Sequence, residues 1–396
     1  MRCLIVTHNF PRWGGDISGN FIFELVSRFT RTDVNVLAPW SRGADVTTQY
    51  RLPSLKELKV NRFKYGAPPL PEIAYRGNMQ KVILRSPLHL TSFASFSISM
   101  TSAAVRLSRW ADVINAHWLI PGGFSASLGS IYHKKPMVIT MHGTDSVLFM
   151  KFRRYLRFDL PIFRNLKAIT VVSSFIADTV RPFVPPHVRI EVIPMPVNEK
   201  AFRPGLSKSI KQEFDIIYVG RLTAQKNLSN LLKAIAILKD RFKLEARALI
   251  VGDGPELHNL KELARNYGIG ELVHFAGSVL PSQVPNQMAR ARVIAMLSVR
   301  EGFGMSILEG MRMGLPQVAS NDGGMKDIVL DGATGYLVPP DDADSAAAAI
   351  YKILSDPVLY QKMSRLSTRR AEEAFSSEKL ARKFEDVLLW AAKTVK

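Results

Sequence analysis

The sequence holds a single cysteine in 396 residues, Cys3, so no disulfide can form within the chain. A lone cysteine is typical of a reducing compartment, and we expect a cytoplasmic protein. No uncharged apolar stretch reaches the roughly 18 residues that a membrane-spanning helix needs. The apolar run in MRCLIVTHNFPRWGG ends in turn residues without a small-residue cleavage site, which favours a buried first strand over a signal peptide.

Metal-ligand spacings are also lacking. The 8 histidines show no HxxxH or HExxH pattern, so we expect neither a divalent metal nor another cofactor. The acidic run DDAD at 341–344 precedes the helical run SAAAAIYKIL. Asp344 or Ser345 is therefore a better candidate for a helix cap than for a metal ligand.

Positive charge is abundant and uneven. The net charge is +19, and residues 1–200 hold 26 Lys and Arg against 12 Asp and Glu, which leaves +14 in that half. Such a surface attracts phosphate-rich partners such as nucleic acid, anionic lipid or charged substrates, although it can also serve solubility alone. No nucleic-acid-binding motif is visible and the basic residues are scattered, so we expect no nucleic-acid partner.

Strand-like and helical segments alternate along the whole chain. Twelve short runs are mostly apolar on both faces: CLIVTHN, VNVLAP, DVINAHW, MVITMHG, AITVVSS, IEVIPM, FDIIYVGR, RALIVGDG, LVHFAG, VIAMLS, PQVASN and GYLVPP. The series restarts after EVIPMPVNEKAFRPG (191–205), where three prolines and a glycine interrupt regular structure. The alternation predicts βαβ units in two Rossmann-like domains, 1–195 and 200–377, followed by an amphipathic helix over 378–396.

Charged residues follow several of these strands, where open α/β sheets bind their ligands. With two sheets facing each other, we expect the site in the cleft between them. In YVGRLTAQKN a strand ends before Arg221, and Lys226 stands at the entry to the next helix. Two cations beside a helix N-terminus suit a pyrophosphate, although solvated loop cations are the alternative. The glycine turn VGDGP (251–255) is weaker evidence of a ligand.

The stretch LSVREGFGMSILEGMRMGLPQVAS (297–320) places Glu301 before a Gly-Phe-Gly turn and Glu309 inside the following helix. At about 1.5 Å rise per residue, the two carboxylates flank a patch of free helix amides. That arrangement suits a molecule with hydroxyls at both ends and phosphates between, such as a nucleotide-sugar. Two surface glutamates beside a turn are the alternative.

Several motifs in series resemble one known family. GRLTAQKN, IVGDGPELHNLKELA, HFAGSV, EGFGMSILEGMRMGLPQVAS and DGATGYLVPPDDADSAAAAI are similar, in this order, to the C-terminal half of family-4 (group 1) glycosyltransferases. These are retaining enzymes of the GT-B fold, and the likeness covers nearly all of residues 214–352. The N-terminal half is similar more loosely, through THNFPRW, SGNFIFEL, DVINAHWLIPGG, VITMHGTD and ITVVSS. The resemblance implies an acceptor-binding N-terminal domain, to which the last helix returns, and a donor-binding C-terminal domain.

The resemblance also implies residue roles in the C-terminal domain. Arg221 and Lys226 would hold the donor pyrophosphate, and Glu309 would hold the ribose. Glu301 would bind donor-sugar hydroxyls as a catalytic residue. Backbone amides would complete the donor site, at Gly302, Phe303, Gly304, Met305 and Ser306. One departure is Gly310, where the family more often has alanine, at a helix cost of about 1 kcal/mol.

In the N-terminal half, the resemblance implies that His142 in MHGTD is the active-site histidine near the transferred sugar and the acceptor. Gly19 in SGNF would lie against the donor phosphates, although Gly14 and Gly15 compete for this role. His117 either lines the acceptor side or is a structural histidine.

The expected function is therefore metal-independent transfer of a sugar, with retention, from a nucleotide-sugar to a lipid-linked or nascent glycan in cell-surface polysaccharide or glycoconjugate synthesis. A nucleotide-sugar epimerase and a soluble transferase with a small-molecule acceptor are the alternatives. FMKFRRYLRFDL (149–160) and NRFKYGAPPL (61–70) interleave cations with aromatic and aliphatic residues. This pattern predicts that the N-terminal domain docks on an anionic membrane, peripherally at its inner face.

Overall fold

A computed structural model describes residues 1–16, 18–52, 55–66, 70–75, 79–83, 86–143, 160–206 and 210–394. The chain divides into two compact units, each with its own largely parallel sheet. The N-terminal unit joins Met1–Pro196 to Ser377–Lys396, and the C-terminal unit is Val197–Ser376. Two parallel-sheet α/β units confirm the predicted fold class.

Eight strands form the sheet of the N-terminal unit. They are β1 (Arg2–Val6), β2 (Asp33–Pro39), β3 (Thr47–Leu52), β4 (Leu55–Phe63), β5 (Val113–His117), β6 (Met137–Met141), β7 (Leu166–Val171) and β8 (Arg189–Val192). Their order is β3-β4-β2-β1-β5-β6-β7-β8, with β3–β4 antiparallel and the other pairs parallel. The chain builds one side of the sheet from β1 and then the other side from β5.

Helices cover this sheet. They are α1 (Asn20–Val26), α2 (Met79–Ile83), α3 (Pro87–Ser108), α4 (Phe124–His133) and α5 (Ser174–Val180), with a π-turn at Leu119–Gly123 and 3₁₀ turns at Pro161–Phe163 and Arg181–Phe183. Every residue of β5 and β6 is buried. Strands apolar on both faces, which the sequence shows for these runs, are what a sheet covered on both sides requires.

The C-terminal unit has a six-stranded parallel sheet. Its strands are β9 (Phe214–Val219), β10 (Ala248–Val251), β11 (Val273–Gly277), β12 (Ala291–Met296), β13 (Gln317–Ser320) and β14 (Gly335–Val338). The order is β11-β10-β9-β12-β13-β14. The chain thus fills one side from β9 and returns to fill the other from β12, so the sheet has its switch point between these two strands.

The helices of the C-terminal unit follow its strands, as the alternating pattern predicts. They are α6 (Leu228–Asp240), α7 (Leu257–Asn266), α8 (Val284–Ala289), α9 (Met305–Arg312), α10 (Met325–Ile328), α11 (Ala343–Ser355) and α12 (Pro357–Ala374), with 3₁₀ turns at Ala224–Lys226 and Pro281–Gln283. The expected cap of α11 was wrong by two or three residues. Asp342 is the cap, and its carboxylate accepts a hydrogen bond from the Ser345 amide at 2.9 Å.

The last helix, α13 (Ser377–Lys393), packs within the N-terminal unit. Its Glu385 side chain is 1 % exposed and accepts hydrogen bonds from the backbone amides of Thr30 and Arg31, at 3.1 and 2.9 Å. Phe384 stacks on Phe29 with ring centroids 6.0 Å apart. The buried carboxylate satisfies two amides that follow α1, which ties α13 to this unit.

Candidate functional site

The predicted donor-binding residues lie where the chain leaves β9 and β12, the two strands at the switch point. Arg221 follows β9, and Lys226 lies in the 3₁₀ turn before α6. Glu301 follows β12, and Glu309 lies in α9. At a switch point the connections diverge to opposite sides of the sheet and leave a crevice beyond the strand ends. The fold therefore gathers at one edge residues that lie up to 88 positions apart in sequence.

Lys226 and Glu301 form an ion pair in the protein. The Lys226 Nζ lies 2.5 Å from Glu301 Oε2, and the side chains are only 17 % and 15 % exposed. Gln225 joins the two loops again, because its carbonyl accepts from the Val299 amide at 2.9 Å and its side-chain amide donates to the Arg300 carbonyl at 3.2 Å. The two side chains that were predicted to bind the donor are thus neighbours, and their opposite charges neutralise each other.

The loop that carries Glu301 is held in a constrained conformation. Arg300 has φ of +50°, and its amide donates to the Asp322 carboxylate at 3.0 Å. The Glu301 carbonyl accepts from the Gly324 amide at 2.8 Å. A Cβ at Gly323 would lie 2.3 Å from the same carbonyl oxygen. Left-handed backbone at a non-glycine residue costs on the order of 1–3 kcal/mol and is concentrated at functional sites.

Helix α9 begins at this loop, and the amides of Met305 and Ser306 donate no hydrogen bond to any residue that the structure describes. Gly304, the residue before it, has φ of +101° and provides no side-chain cap. The Ser306 hydroxyl donates to the Val219 carbonyl at 2.8 Å, which fixes the first turn of α9 to the end of β9. Amides of a first helical turn have no intrahelical acceptor, so those of Met305 and Ser306 are suited to an anion. Phe303 packs its ring near Phe375 and leaves only its backbone for a ligand.

Glu309 is a half-buried carboxyl group on α9. Burial raises its pKa to about 8. Among the residues that the structure describes, no ion pair or hydrogen bond to this carboxyl group offsets the burial. A carboxyl group kept in such surroundings costs stability, and perturbed groups of this kind cluster at functional sites. This observation favours a ligand-binding role over that of a surface glutamate.

Arg221 is exposed, and its guanidinium has no partner within the described part of the chain. Its backbone is fixed, because the Tyr218 hydroxyl donates to the Arg221 carbonyl at 3.1 Å. Burial raises the pKa of Tyr218, so its hydroxyl stays protonated as a donor. The guanidinium is therefore free to meet an anion beyond β9.

The VGDGP turn has a packing role in the C-terminal unit. A Cβ at Gly252 would overlap the Gly220 carbonyl oxygen, and one at Gly254 would lie 2.2 Å from the Leu222 carbonyl oxygen. The Leu222 amide donates to the Asp253 carbonyl at 2.9 Å. These glycines let the turn support the backbone around Arg221, which is the structural alternative to direct ligand contact.

The presence of glycine at position 310, inside helix α9, is explained by packing. A Cβ on this helical residue would lie 2.9 Å from both Cδ1 and Cγ2 of Ile294, a fully buried side chain of β12. The glycine therefore brings α9 close to β12, which compensates for its low helix propensity.

Three histidines gather at the carboxyl end of the N-terminal sheet, on strands beside its own switch point between β1 and β5. His8 follows β1, His117 ends β5 and His142 follows β6. His117 Nδ1 lies 2.8 Å from His142 Nε2, and the two rings stack with an interplanar angle of 12°. The Trp118 ring lies 4.2 Å from the His8 ring and 4.6 Å from the His142 ring between centroids. Sequence reasoning singled out His142, which directly follows β6, but missed His8, which lies two residues after β1.

These histidines are neutral near pH 7. Burial lowers the pKa of His8 to about 4 and, with a contribution from His8, that of His117 to about 3. Burial, followed by the influence of His117 and His8, also lowers the pKa of His142 well below 6.5. A neutral imidazole offers one donor and one acceptor nitrogen, which suits contact with a sugar hydroxyl.

The three candidate glycines differ in their surroundings. Gly19, the residue before α1, has φ of +68°, and a Cβ there would lie 2.3 Å from the Asn9 carbonyl oxygen. Gly14 and Gly15 are exposed, and a Cβ on either meets no atom within 4 Å. Gly19 is thus required by the packing of its own unit, whereas Gly14 and Gly15 have open space beside them.

The described residues bear only in part on the predictions about membranes and metals. Of the two segments predicted to dock on a membrane, residues 149–159 of the first and 67–69 of the second lie outside the described residues. Across the described ranges, no helix is both long and apolar enough to cross a bilayer. The same ranges contain no group of three or more His, Cys, Asp or Glu side chains arranged to hold a metal ion.

Comparison with known sequences places both halves in glycosyltransferase families. The profile of glycosyl transferases group 1 matches residues 203–370, and that of glycosyltransferase family 4 matches residues 18–201. The chain is 26 % identical over 288 residues to N-acetyl-alpha-D-glucosaminyl L-malate synthase of Bacillus anthracis, covering 70 % of this chain and 74 % of that protein. It is also 26 % identical to glycogen synthase of Mycobacterium tuberculosis, covering 99 % of this chain and 95 % of that one.

Solved structures share the fold. Sucrose-phosphate synthase from Thermosynechococcus elongatus superposes with a TM-score of 0.73 at 21 % identity, over 99 % of both chains. HepE of Anabaena, solved in complex with UDP, superposes with a TM-score of 0.71 at 16 % identity, over 98 % of this chain and 100 % of that one. Both superpositions span two parallel-sheet units of the GT-B type. With sequence profiles matching both halves and a GT-B architecture around the switch-point residues, the chain belongs to the family-4 (group 1) glycosyltransferases.

Proposed function

We propose that this glycosyltransferase uses a nucleotide-sugar donor and passes its sugar, with retention, to a lipid-linked or nascent glycan. The observation that supports the donor class most directly is the set of groups at the β9–β12 switch point. Arg221, Lys226 and the first amides of α9 are suited to a diphosphate. Glu301 and Glu309 are suited to hydroxyls on either side of it. HepE, a structural neighbour, has been solved with UDP-glucose, which is a donor of this class.

The proposed chemistry is electrostatic and positional. During transfer the bond between the sugar and the diphosphate breaks, and negative charge grows on the leaving diphosphate. The same sugar carbon forms a new bond to an acceptor hydroxyl oxygen, and the proton of that hydroxyl passes to the departing diphosphate. Arg221, Lys226 and the α9 amides neutralise that charge without a divalent metal. Because Lys226 is paired with Glu301, donor binding exchanges part of this ion pair for contacts to phosphate and sugar. His142 is assigned to the transferred sugar, and no residue is assigned as a covalent nucleophile.

Release of nucleoside diphosphate tests the donor class. Purified protein is incubated with UDP-, GDP- and ADP-sugars, with and without glycan or lipid-linked acceptors and with EDTA. We expect acceptor-dependent release from one nucleotide class, unchanged by EDTA, and a product whose anomeric configuration matches the donor. An isomerised nucleotide-sugar formed without acceptor would instead indicate the epimerase, and loss of activity in EDTA would contradict the metal-independent mechanism.

We also propose that the N-terminal unit docks on an anionic membrane from the cytoplasmic side. The basic segment at 149–160 lies almost wholly outside the described residues. Within the described residues, a groove of about 480 Å³ is lined by Lys134, Lys135, Arg164 and Lys167. Among the described residues that line it none is acidic, and none of the four cations has an ion pair there. Each basic residue near an anionic bilayer contributes roughly 1 kcal/mol of attraction.

Co-sedimentation with liposomes tests this docking. Binding should require anionic lipid and weaken with salt. Two matched variants separate the surfaces: serine at the four cations of the groove, or serine at Lys151, Arg153, Arg154 and Arg157. The variant that loses binding identifies the docking surface. Equal recovery of wild-type protein with neutral and anionic liposomes would exclude membrane docking and leave a transferase with a soluble acceptor.

A further inference from the structure

The His117–His142 contact fixes the ring that is assigned to the transferred sugar. His117 is fully buried, and its Nδ1 is 2.8 Å from His142 Nε2. The strands beneath the pair are bound by two further polar contacts: Asn115 donates to the Thr140 hydroxyl at 2.9 Å, and the Thr170 hydroxyl bonds the same oxygen at 2.8 Å. A buried polar layer therefore spans β5, β6 and β7, and its β6 member, Thr140, lies two residues before His142.

The direction of the hydrogen bond between His117 and His142 follows from the surroundings of the other ring nitrogen of His117, Nε2. His117 Nε2 is buried and has no hydrogen-bond partner among the described residues. If it carried the proton, a buried N–H donor would be left unpaired, and such orphaned donors are rarer in proteins than unpaired acceptors. The proton of neutral His117 is therefore on Nδ1, from which it is donated to His142 Nε2.

The tautomer of His142 follows in turn. Because its Nε2 accepts a hydrogen bond, a neutral His142 carries its own proton on Nδ1. Any hydrogen bond that His142 donates to a substrate oxygen must then come from Nδ1. The Trp118 and Phe21 rings pack against the His142 ring in tilted contacts, with ring centroids 4.6 and 5.0 Å away, which restrict rotation of the imidazole.

We propose that His117 is a positioning residue that locks His142 as the Nδ1–H tautomer and thereby sets which ring atom meets the substrate. This inference rests on the assignment of His142 to the transferred sugar in the proposed function. The tautomer itself does not depend on that assignment, so the two can be tested separately.

Long-range ¹H–¹⁵N spectra of protein labelled with ¹⁵N-histidine report the tautomer directly. The signal of His142 is identified by its loss in His142→Gln. We expect the Nδ1–H pattern in the wild type and a shift to Nε2–H or to a mixture in His117→Phe, which keeps a ring but no donor. An Nε2–H pattern for His142 in the wild type overturns the proposal, as does an unchanged pattern in His117→Phe.

Kinetics supply the functional readout. His117→Phe should lower kcat by about tenfold or more with little change in the KM for the donor, and His117→Asn should recover most of the loss because its amide nitrogen takes the place of Nδ1. Circular dichroism and Tm establish whether both variants fold. If His117→Phe does not fold, the tautomer is tested by the wild-type spectrum and the positioning role by the activity of His117→Asn. Full activity in His117→Phe with an inactive His142→Ala overturns the positioning role alone. Full activity in His142→Ala overturns the proposed role of His142, whatever its tautomer.

Discussion

The ammonium group of Lys226 and the carboxylate of Glu301 are 2.5 Å apart, although 75 positions of sequence separate them. Each charge is mostly shielded from water and is satisfied by the other. In the proposed complex these two side chains contact adjacent parts of one donor, the phosphate and the sugar. The two charged groups that are proposed to bind the donor thus form an ion pair with each other. This ion pair links the loop after β9 to the loop after β12.

Lys226→Ala and Arg221→Ala should differ in stability but agree in activity. Each should lower kcat/KM at least about tenfold, or roughly 1.4 kcal/mol of transition-state stabilisation, because each removes a cation from the leaving diphosphate. Lys226→Ala should also lower Tm because it leaves Glu301 unpaired, whereas the exposed Arg221 has no such partner. Steady-state kinetics and thermal melts check both expectations. Full activity in both variants would show that the pyrophosphate assignment is wrong.

Glu309→Gln should stabilise the protein in a pH-dependent manner. The pKa of Glu309 in the folded protein, about 8, lies above its ordinary value of 4.5. The folded state therefore binds more protons than the unfolded state, and its stability falls as pH rises between these values. Glutamine removes this loss, so the variant should exceed the wild type in Tm at pH 8 and converge with it towards pH 5. Exposed Glu271→Gln is the control, and a difference between Glu309→Gln and wild type that does not vary with pH contradicts the burial of Glu309.

The histidine cluster should make the protein acid-sensitive. The folded-state pKa of His8, about 4, lies below the ordinary 6.5, so the unfolded chain takes up a proton that the folded chain does not. The free energy of unfolding should fall as pH drops from 6.5 towards 4. His8→Asn should reduce this slope by about 1 kcal/mol per pH unit, measured by urea unfolding between pH 6 and 5. The control is His258→Asn, since that side chain is 81 % exposed, and an equal slope in the His8 variant and wild type argues against a buried neutral His8.

Gly310→Ala should destabilise the protein despite the better helix propensity of alanine. The gain of about 1 kcal/mol is outweighed by overpacking against Ile294, which typically costs roughly 1–3 kcal/mol. The loss should shrink when Ile294→Val is introduced as well, because the Cδ1 that crowds the new methyl group is gone. Urea unfolding of the two single variants and the double variant measures this coupling. A more stable Gly310→Ala protein would mean that α9 shifts freely on β12.

The sequence predicted the strands whose residues are mostly apolar. All twelve apolar runs correspond to strands, namely β1, β2 and each strand from β5 to β14. It missed β3 and β4, at the edge of the first sheet, because their residues alternate. In β4, Leu58 and Val60 are buried while Glu57 and Lys59 are exposed, a two-residue period that forms no continuous apolar run.

The site was predictable in its residues but not in its contacts. Strand ends and helix starts marked Arg221, Lys226, Glu301 and Glu309, yet no local pattern indicates that Lys226 pairs with Glu301. The two side chains can pair only because β9 and β12 are neighbours in the sheet. This neighbourhood is a property of the strand order and is not visible in either stretch of sequence. His8 was missed for the same reason, since its relation to His142 exists only through the β1-β5-β6 order.

Binding of nucleoside diphosphates is a direct test of a donor site at the β9–β12 switch point. Titration calorimetry with UDP, GDP and ADP compares the wild type with Arg221→Ala, Lys226→Ala and Glu309→Ala, and with His258→Asn as a control on an exposed helix. We expect the wild type and the control to bind one diphosphate with the same affinity, and each switch-point variant to bind it about tenfold more weakly or worse. Equal affinity in all five proteins, or no binding by the wild type, would contradict it.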